Sequence, residues 1–185
     1  MNPLTARQPP LNQIKYMLYE LGLMVNHHLW RWLTCWFGGA AGVIISYRLD
    51  RFGFLLFKDF WSAIRILFFP LFLILRLLSS GHDIHYAADI GRGLKILHPS
   101  LGVVINGKLI AGAHLTLTGG NCLGQRKTLN YGDFVIGDNV SLGANAVVLG
   151  PLTLGNDVSI GAGAVVVSSF PDNVVLVGVP AKAMK

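Results

Sequence analysis

VIGDNVSLGANAVVLGPLTLGNDVSIGAGAVVV, residues 135–167, places an aliphatic side chain at every sixth position: Ile136, Leu142, Val148, Leu154, Ile160 and Val166. A helix repeats near 3.6 residues and a strand near 2, so neither alone produces this spacing. A chain that turns a corner every six residues does, because three hexads close one triangular coil of a parallel β-helix with each aliphatic residue pointing into the prism. Glycine follows at Gly137, Gly143, Gly155 and Gly161, where small residues let the backbone turn without a clash. Coils stacked at roughly 4.8 Å close one another's hydrogen bonds and share an apolar ladder, so one coil cannot fold alone and four or five can.

Upstream the same spacing recurs in Ala111, Leu117 and Leu123 and in Ile84, Ile90 and Ile96. The register breaks twice. The phase slips between Gly102 and Ala111, and Leu123 to Ile136 is 13 residues, one more than two hexads. The second break contains GQRKTLNYGD (124–133), which carries Arg126, Lys127 and Asp133. It reads either as a tolerated surface insertion or as a functional loop displayed by a rigid scaffold.

The 185 residues are 52% hydrophobic and only 13% charged, with a mean hydropathy of +0.54. Residues 1–80 hold eight Lys/Arg against three Asp/Glu, and residues 81–185 hold seven against six, so the basic excess belongs to the apolar end. That pairing suits an anionic membrane surface, where buried apolar area and attraction to headgroup phosphates act together. No nucleic-acid motif occurs. Cys35 and Cys122 form no CxxC or Cys/His cluster and read as reduced thiols in a cytosol-facing protein, and no histidine spacing commends a metal. The opening MNPLTARQPPLNQIKYMLYE lacks the pattern of a cleaved signal peptide.

The chain divides into a helical membrane-associating region, 1–80, and a β-helix domain, 81–185. After Pro9 and Pro10, the spacing of Leu11, Ile14, Leu18 and Leu21 marks one apolar helix face. In residues 60–80, Arg65 and Arg76 enclose only ILFFPLFLIL, with Pro70 inside it, whereas a spanning helix needs about 20 apolar residues. Residues 29–47 are a second apolar stretch, so residues 29–78 leave three placements: lying on the membrane or re-entering it, spanning it, or capping the protein itself. If the segment is an anchor, removing residues 1–80 releases the protein from membranes.

The hexads, the insertion and the ending VGVPAKAM (177–184) together resemble the hexapeptide-repeat acyltransferases. DIHYAADIGRGLKILHPSLGVVING (83–107) is similar to the corresponding stretch of serine acetyltransferases, and VVIN and VIGDNVSLG are closer to their relatives in capsule and exopolysaccharide biosynthesis. The resemblance covers about residues 82–185. It implies a mainly β fold, a left-handed parallel β-helix behind the apolar helical region, and a homotrimer with acetyl-CoA in the groove between neighbouring prisms.

His98 occupies the place of the family's catalytic histidine. A neutral imidazole can take the proton of an acceptor hydroxyl as its oxygen attacks a thioester carbonyl. Serine acetyltransferases place an aspartate before this histidine and a second histidine near the end of the insertion; here Leu97 and Asp133 stand there. Asp133 either orients His98 from an adjacent subunit or is a solvated loop carboxylate. Asn106 stands where a glutamate is common and is a candidate to bond the base or the acceptor. For the donor, the resemblance implies pantetheine along Gly143, Ala144, Gly161 and Ala162, with Lys182 and the loop residues Arg126 and Lys127 near the nucleotide phosphates. His114 is a candidate for the trimer interface, and Cys122 for a packed thiol rather than an acyl-enzyme nucleophile.

The expected function is an acetyl-CoA-dependent O-acetyltransferase acting on a sugar hydroxyl, of a lipid-linked or polysaccharide precursor, at the cytoplasmic face of the inner membrane. Serine O-acetyltransferase is the first alternative, and a non-catalytic membrane scaffold the second.

Overall fold

The computed structural model describes residues 9–25, 39–78 and 81–184; His27, His28 and Cys35 lie outside them, as does part of the apolar stretch 29–47. Among the described residues four α-helices come first: α1 (Pro10–Val25), α2 (Ala40–Phe57), α3 (Trp61–Leu67) and α4 (Phe69–Leu78). Fifteen short strands follow, and they stack into a three-sided parallel solenoid.

The first face holds β1 (Asp83–Ile84), β4 (Val103–Ile105), β7 (Asn121–Gln125), β10 (Val147–Gly150) and β13 (Val165–Val166). The second holds β2 (Asp89–Ile90), β5 (Leu109–Ala111), β8 (Phe134–Ile136) and β11 (Leu152–Leu154). The third holds β3 (Lys95–Ile96), β6 (Thr116–Leu117), β9 (Ser141–Leu142), β12 (Ser159–Ile160) and β14 (Val175–Val177), ending in antiparallel β15 (Lys182–Ala183).

The hexad residues are the core. Leu117, Leu123, Ile136, Val148 and Val166 are inaccessible to solvent and belong to one apolar cluster running the length of the prism. Each such side chain contributes about 1.5–3 kcal/mol on burial.

The two register breaks lie where chain is inserted at corners. Ile84 pairs with Ile105, Ile90 with Ala111 and Ile96 with Leu117. The slip therefore falls earlier than the spacing suggests, between Ile96 and Ile105, and the extra residues make the 3-10 turn Pro99–Leu101. Likewise Leu123 and Ile136 sit on successive faces of one coil, so the second break is one hexad plus a seven-residue excursion. Periodicity alone cannot distinguish that from two hexads and one extra residue.

The helices close the open end of the prism. The first coil presents an unpaired strand edge at β2, and its polar groups need partners. Side chains of α1 and α2 supply them. Tyr47 Oη donates to Ala88 O at 2.9 Å and accepts from Ile90 N at 3.3 Å. Arg48 donates to Ile90 O (2.8 Å) and Gly91 O (2.7 Å), and Arg51 donates to Ala87 O (2.9 Å) while pairing with Asp89 at 3.0 Å. Glu20 Oε1 accepts from the N–H groups of Gly93 and Leu94, both at 2.9 Å, and the same carboxylate takes two bonds from Arg48.

The apolar stripe expected on α1 is present, but it is not the side that is fully buried. Leu11 and Leu18 point to solvent, and Gln13 and Glu20 are the fully buried residues. The helix turns its polar side inward because that side carries the bonds the strand edge lacks. His114 packs edge-on against Tyr19 of α1, so a helix of its own chain covers the surface assigned above to a trimer contact.

A tryptophan ties α3 and α4 to α2. Gly53 leaves room for the Trp61 ring, which a Cβ there would meet at 2.1 Å. Trp61 Nε1 donates to Asp50 at 2.7 Å, and its ring stacks on Phe57 and meets Phe72 edge-on.

Candidate active site

Three columns of corner residues run along the prism, and the candidate site residues fall on two of them. The edge between the third and first faces carries His98, then Gly119 and Gly120, then Gly143 and Ala144, then Gly161 and Ala162, one step per coil. The predicted base and the predicted pantetheine track therefore share one edge. Lys182 lies exposed in β15, at the far end of the third face.

His98 opens the three-residue insertion. Its backbone is fixed: N–H donates to Thr118 O at 2.8 Å and C=O accepts from Leu101 N at 3.2 Å. Gly119, at φ +137°, passes so close that a Cβ would stand 2.6 Å from His98 O, so only glycine fits beneath this turn. The imidazole is exposed and meets no hydrogen-bonding side chain among the described residues. Leu97 beside it is 49% exposed, and no carboxylate stands in its place.

Along the same edge the N–H groups of Gly143, Gly161 and Gly163 bond to Ile160 O, Leu176 O and Ala144 O. Those of Ala144 and Ala162 take part in none of these ladder bonds, which leaves a donor at each of two successive steps. Bare backbone with small side chains and spaced donors fits the amides of a pantetheine arm, whose thioester is the acyl donor of the chemistry.

The other candidates lie on the edge between the first and second faces. Asn106 Nδ2 donates to Gln125 Oε1 at 3.2 Å, and its Oδ1 accepts from Lys108 N at 2.8 Å. Asp133 Oδ2 accepts from Asn130 N at 2.7 Å and closes the long loop. Arg126 donates to Val167 O at 2.8 Å two coils on, and Lys127 is exposed. Residues 102–106, running between the two edges, span roughly 13 Å in extended form. One chain therefore does not bring Asp133 or Asn106 to its own His98, nor Arg126 or Lys127 to its own glycine track.

The remaining histidines have structural surroundings. His85 stacks on Tyr86, and its Nδ1 accepts from Ala87 N at 3.1 Å. Burial, and after it the Arg65 guanidinium, holds this imidazole below its ordinary range. His82 is buried at the entrance to β1. Cys122 is a half-buried free thiol on the outer side of the first face, between Val104 and Val147. Among the described residues no group of His, Cys, Asp or Glu could hold a metal.

Sequence reasoning offered a cap as one of three placements for residues 29–78 but missed the residues that make it. Glu20, Arg48 and Arg51 look like surface charges in a helical stretch, and nothing in their spacing announces a strand edge.

Residues 135–168 match the family model described as bacterial transferase hexapeptide (six repeats). The chain is 36% identical over 148 residues to WcaB of Escherichia coli strain K12, a candidate colanic acid biosynthesis acetyltransferase, covering 76% of this chain and 87% of the relative. Its fold matches Neisseria gonorrhoeae serine acetyltransferase with a TM-score of 0.73 at 27% identity, over 95% of this chain and 66% of that one. A serine acetyltransferase in complex with CoA matches at a TM-score of 0.59 and 27% identity, over 78% of this chain and 55% of the other. The solenoid is thus of the left-handed β-helix type, and the likeness extends into the helices that residues 82–185 alone did not suggest. On the hexad core, the bare backbone edge and these relatives together, the chain belongs to the hexapeptide-repeat transferase family and is an acyl-CoA-dependent acetyltransferase.

Proposed function

We propose that this acetyltransferase transfers acetyl from acetyl-CoA to a sugar hydroxyl of a lipid-linked glycan or polysaccharide precursor, working as a homotrimer at the cytoplasmic face of a membrane. The observation that carries the reading is the setting of His98. It is a solvent-facing imidazole on the donor edge with Leu97 beside it, in a chain similar to WcaB over most of both lengths. An apolar neighbour offers nothing to grip a free amino acid and leaves a wide approach for a bulky acceptor.

In this mechanism His98 accepts the acceptor's hydroxyl proton as the oxygen attacks the acetyl carbonyl. The new C–O bond forms, the C–S bond breaks, and the imidazolium returns its proton to the sulfur, so an O-acetyl sugar and free CoA leave. The split between the two edges supports the trimer: a neighbouring copy beside the first face would set its Asp133 loop, with Arg126 and Lys127, against the glycine track of this one. The outer side of that face carries Val104, Cys122, Val147 and Val165 in one row, an apolar strip suited to burial between prisms.

The membrane reading is supported by α3 and α4. Phe60, Ile66 and Leu67 are 77%, 77% and 75% exposed, and Phe68, Phe69 and Leu71 lie beside them. This exposed apolar surface favours an interfacial position; no helix among the described residues is long and apolar enough to cross a membrane. Deleting residues 1–80 would also uncap the first coil, so the test is better made on surface side chains. Phe60→Ser with Leu67→Glu is expected to abolish flotation with phosphatidylglycerol vesicles while thermal stability is kept; unchanged flotation sinks the interfacial reading.

The acceptor is tested by release of free CoA thiol from acetyl-CoA with detergent-purified protein, comparing a lipid-linked glycan extract with L-serine. Turnover with the extract alone is expected. Turnover with serine alone would favour the second reading, serine O-acetyltransferase, which the fold match over 95% of the chain keeps in view.

A further inference from the structure

A groove of about 630 Å³ lies between α2, the α3–α4 pair and the edge strand β1. Its walls are mainly apolar: Val43, Ile66, Phe69, Phe72, Leu73 and Ile84. The outer rim is continuous with the exposed apolar surface of α3 and α4, since Ile66 and Phe69 line the groove and are 77% and 60% exposed. The inner end lies at residues 82–84, where the chain enters β1. That segment runs beside the His98 insertion: a Cβ on Gly102, the residue closing the turn after His98, would stand 3.6 Å from Gly81 O. The groove therefore runs from the proposed bilayer surface to residues 82–84, beside the segment that packs on the end of the His98 turn.

One cation stands in this apolar wall. Arg65 is 37% exposed, lies over the Tyr86 and Phe72 rings at 4.9 and 5.4 Å, and reaches Asp50 only at 3.6 Å. Its Nε is buried with no hydrogen-bond partner among the described residues. Asp50 is already engaged by Trp61, and burial pushes its carboxyl up from the usual range. A partly exposed guanidinium, held only at 3.6 Å by Asp50 beside an apolar channel, is matched by a phosphate attached to a hydrocarbon chain.

Building on the lipid-linked reading of the acceptor, we propose that this groove holds the hydrocarbon chain of a phosphate-linked glycolipid acceptor, with Arg65 on its phosphate, so that the sugar beyond the phosphate is delivered towards His98. A chain lying between Phe69, Phe72 and Leu73 leaves the bilayer without passing through water, and the phosphate meets the cation before the sugar reaches the edge of the prism. Asp83, at the inner end of the groove, gives the sugar a hydrogen-bonding partner.

The test uses the full chain in detergent with a diazirine-bearing farnesyl phosphate, followed by peptide mapping of the photolabel. Label is expected on Phe69, Phe72, Leu73 and residues 82–84, suppressed by excess farnesyl phosphate and about tenfold more weakly by farnesol, the difference a charge-assisted phosphate contact supplies. Arg65→Gln raises the half-saturating probe concentration by about the same factor, and Ser46→Phe, which fills the groove from its lining, removes the label. Label confined to the outward residues 67, 68 and 71, or equal competition by phosphatidylglycerol, overturns the proposal. The binding readout is independent of turnover. Competable groove label without turnover on the glycan extract faults the sugar reading alone, and turnover without groove label faults the groove alone.

Discussion

His98→Ala lowers acetyl transfer by about 10²–10⁴-fold, the contribution of a general base, and leaves folding and CoA binding close to those of the parent. The reasoning is geometric. The His98 imidazole faces solvent and holds no other side chain in place, while the turn is fixed by backbone bonds to Thr118 and Leu101 and by the close passage of Gly119. Alanine therefore removes the base and little else. The N–H groups of Ala144 and Ala162, further along the edge, are unaffected, so the affinity for CoA measured by calorimetry changes by less than about twofold. Added imidazole should restore part of the rate, because the space left beside Leu97 is open to solvent. Full turnover by His98→Ala would place the base elsewhere.

The solenoid was legible because its rule is one-dimensional. An aliphatic residue every sixth position and a small residue at the corner can be seen in a string of letters, and Ile136 through Val166 fill the core as that rule requires. The assignments of His98 as base and of the four small residues to the acetyl donor rest on resemblance. That they share one edge follows from coil arithmetic only after the three-residue insertion has been placed between Ile96 and Ile105 rather than beyond Gly102. The helices were least legible. Leu11, Ile14, Leu18 and Leu21 form an apolar stripe, and such a stripe is ordinarily the buried side. Here the competing demand was the strand edge of the first coil, which needs donors and acceptors, and it drew Gln13 and Glu20 inward and left Leu11 and Leu18 at the surface. Leu11 and Leu18 facing out, with Ile14 and Leu21 half-buried, and a polar side facing in are two results of the same cause.

Glu20→Ala should destabilise the protein by about 3–5 kcal/mol, the cost of leaving a buried charge without its partner. Glu20 and Arg48 are both fully buried. Removing the carboxylate strands the Arg48 guanidinium and also deprives the N–H groups of Gly93 and Leu94 of their acceptor. Against a total stability of roughly 5–15 kcal/mol this is a large fraction, and it corresponds to a fall of about 6–20 °C in Tm for a chain of this size. Arg48→Ala should cost a similar amount, because it leaves Glu20 charged and the carbonyls of Ile90 and Gly91 unpaired. The double variant should lose clearly less than the two single losses combined, since each single change already forfeits the shared interaction. Thermal melts of the four proteins decide the point, and additive small losses would show that the cap bears little load. The same cap bears on catalysis, because β2 and β3 lead directly into the His98 turn. A frayed first coil displaces the base while leaving the later coils, with Gly143, Ala144, Gly161 and Ala162, in register. In Glu20→Ala, acetyl transfer should therefore fail on warming before CoA binding does, and simultaneous loss of both would mean that the prism melts as one unit rather than from its capped end.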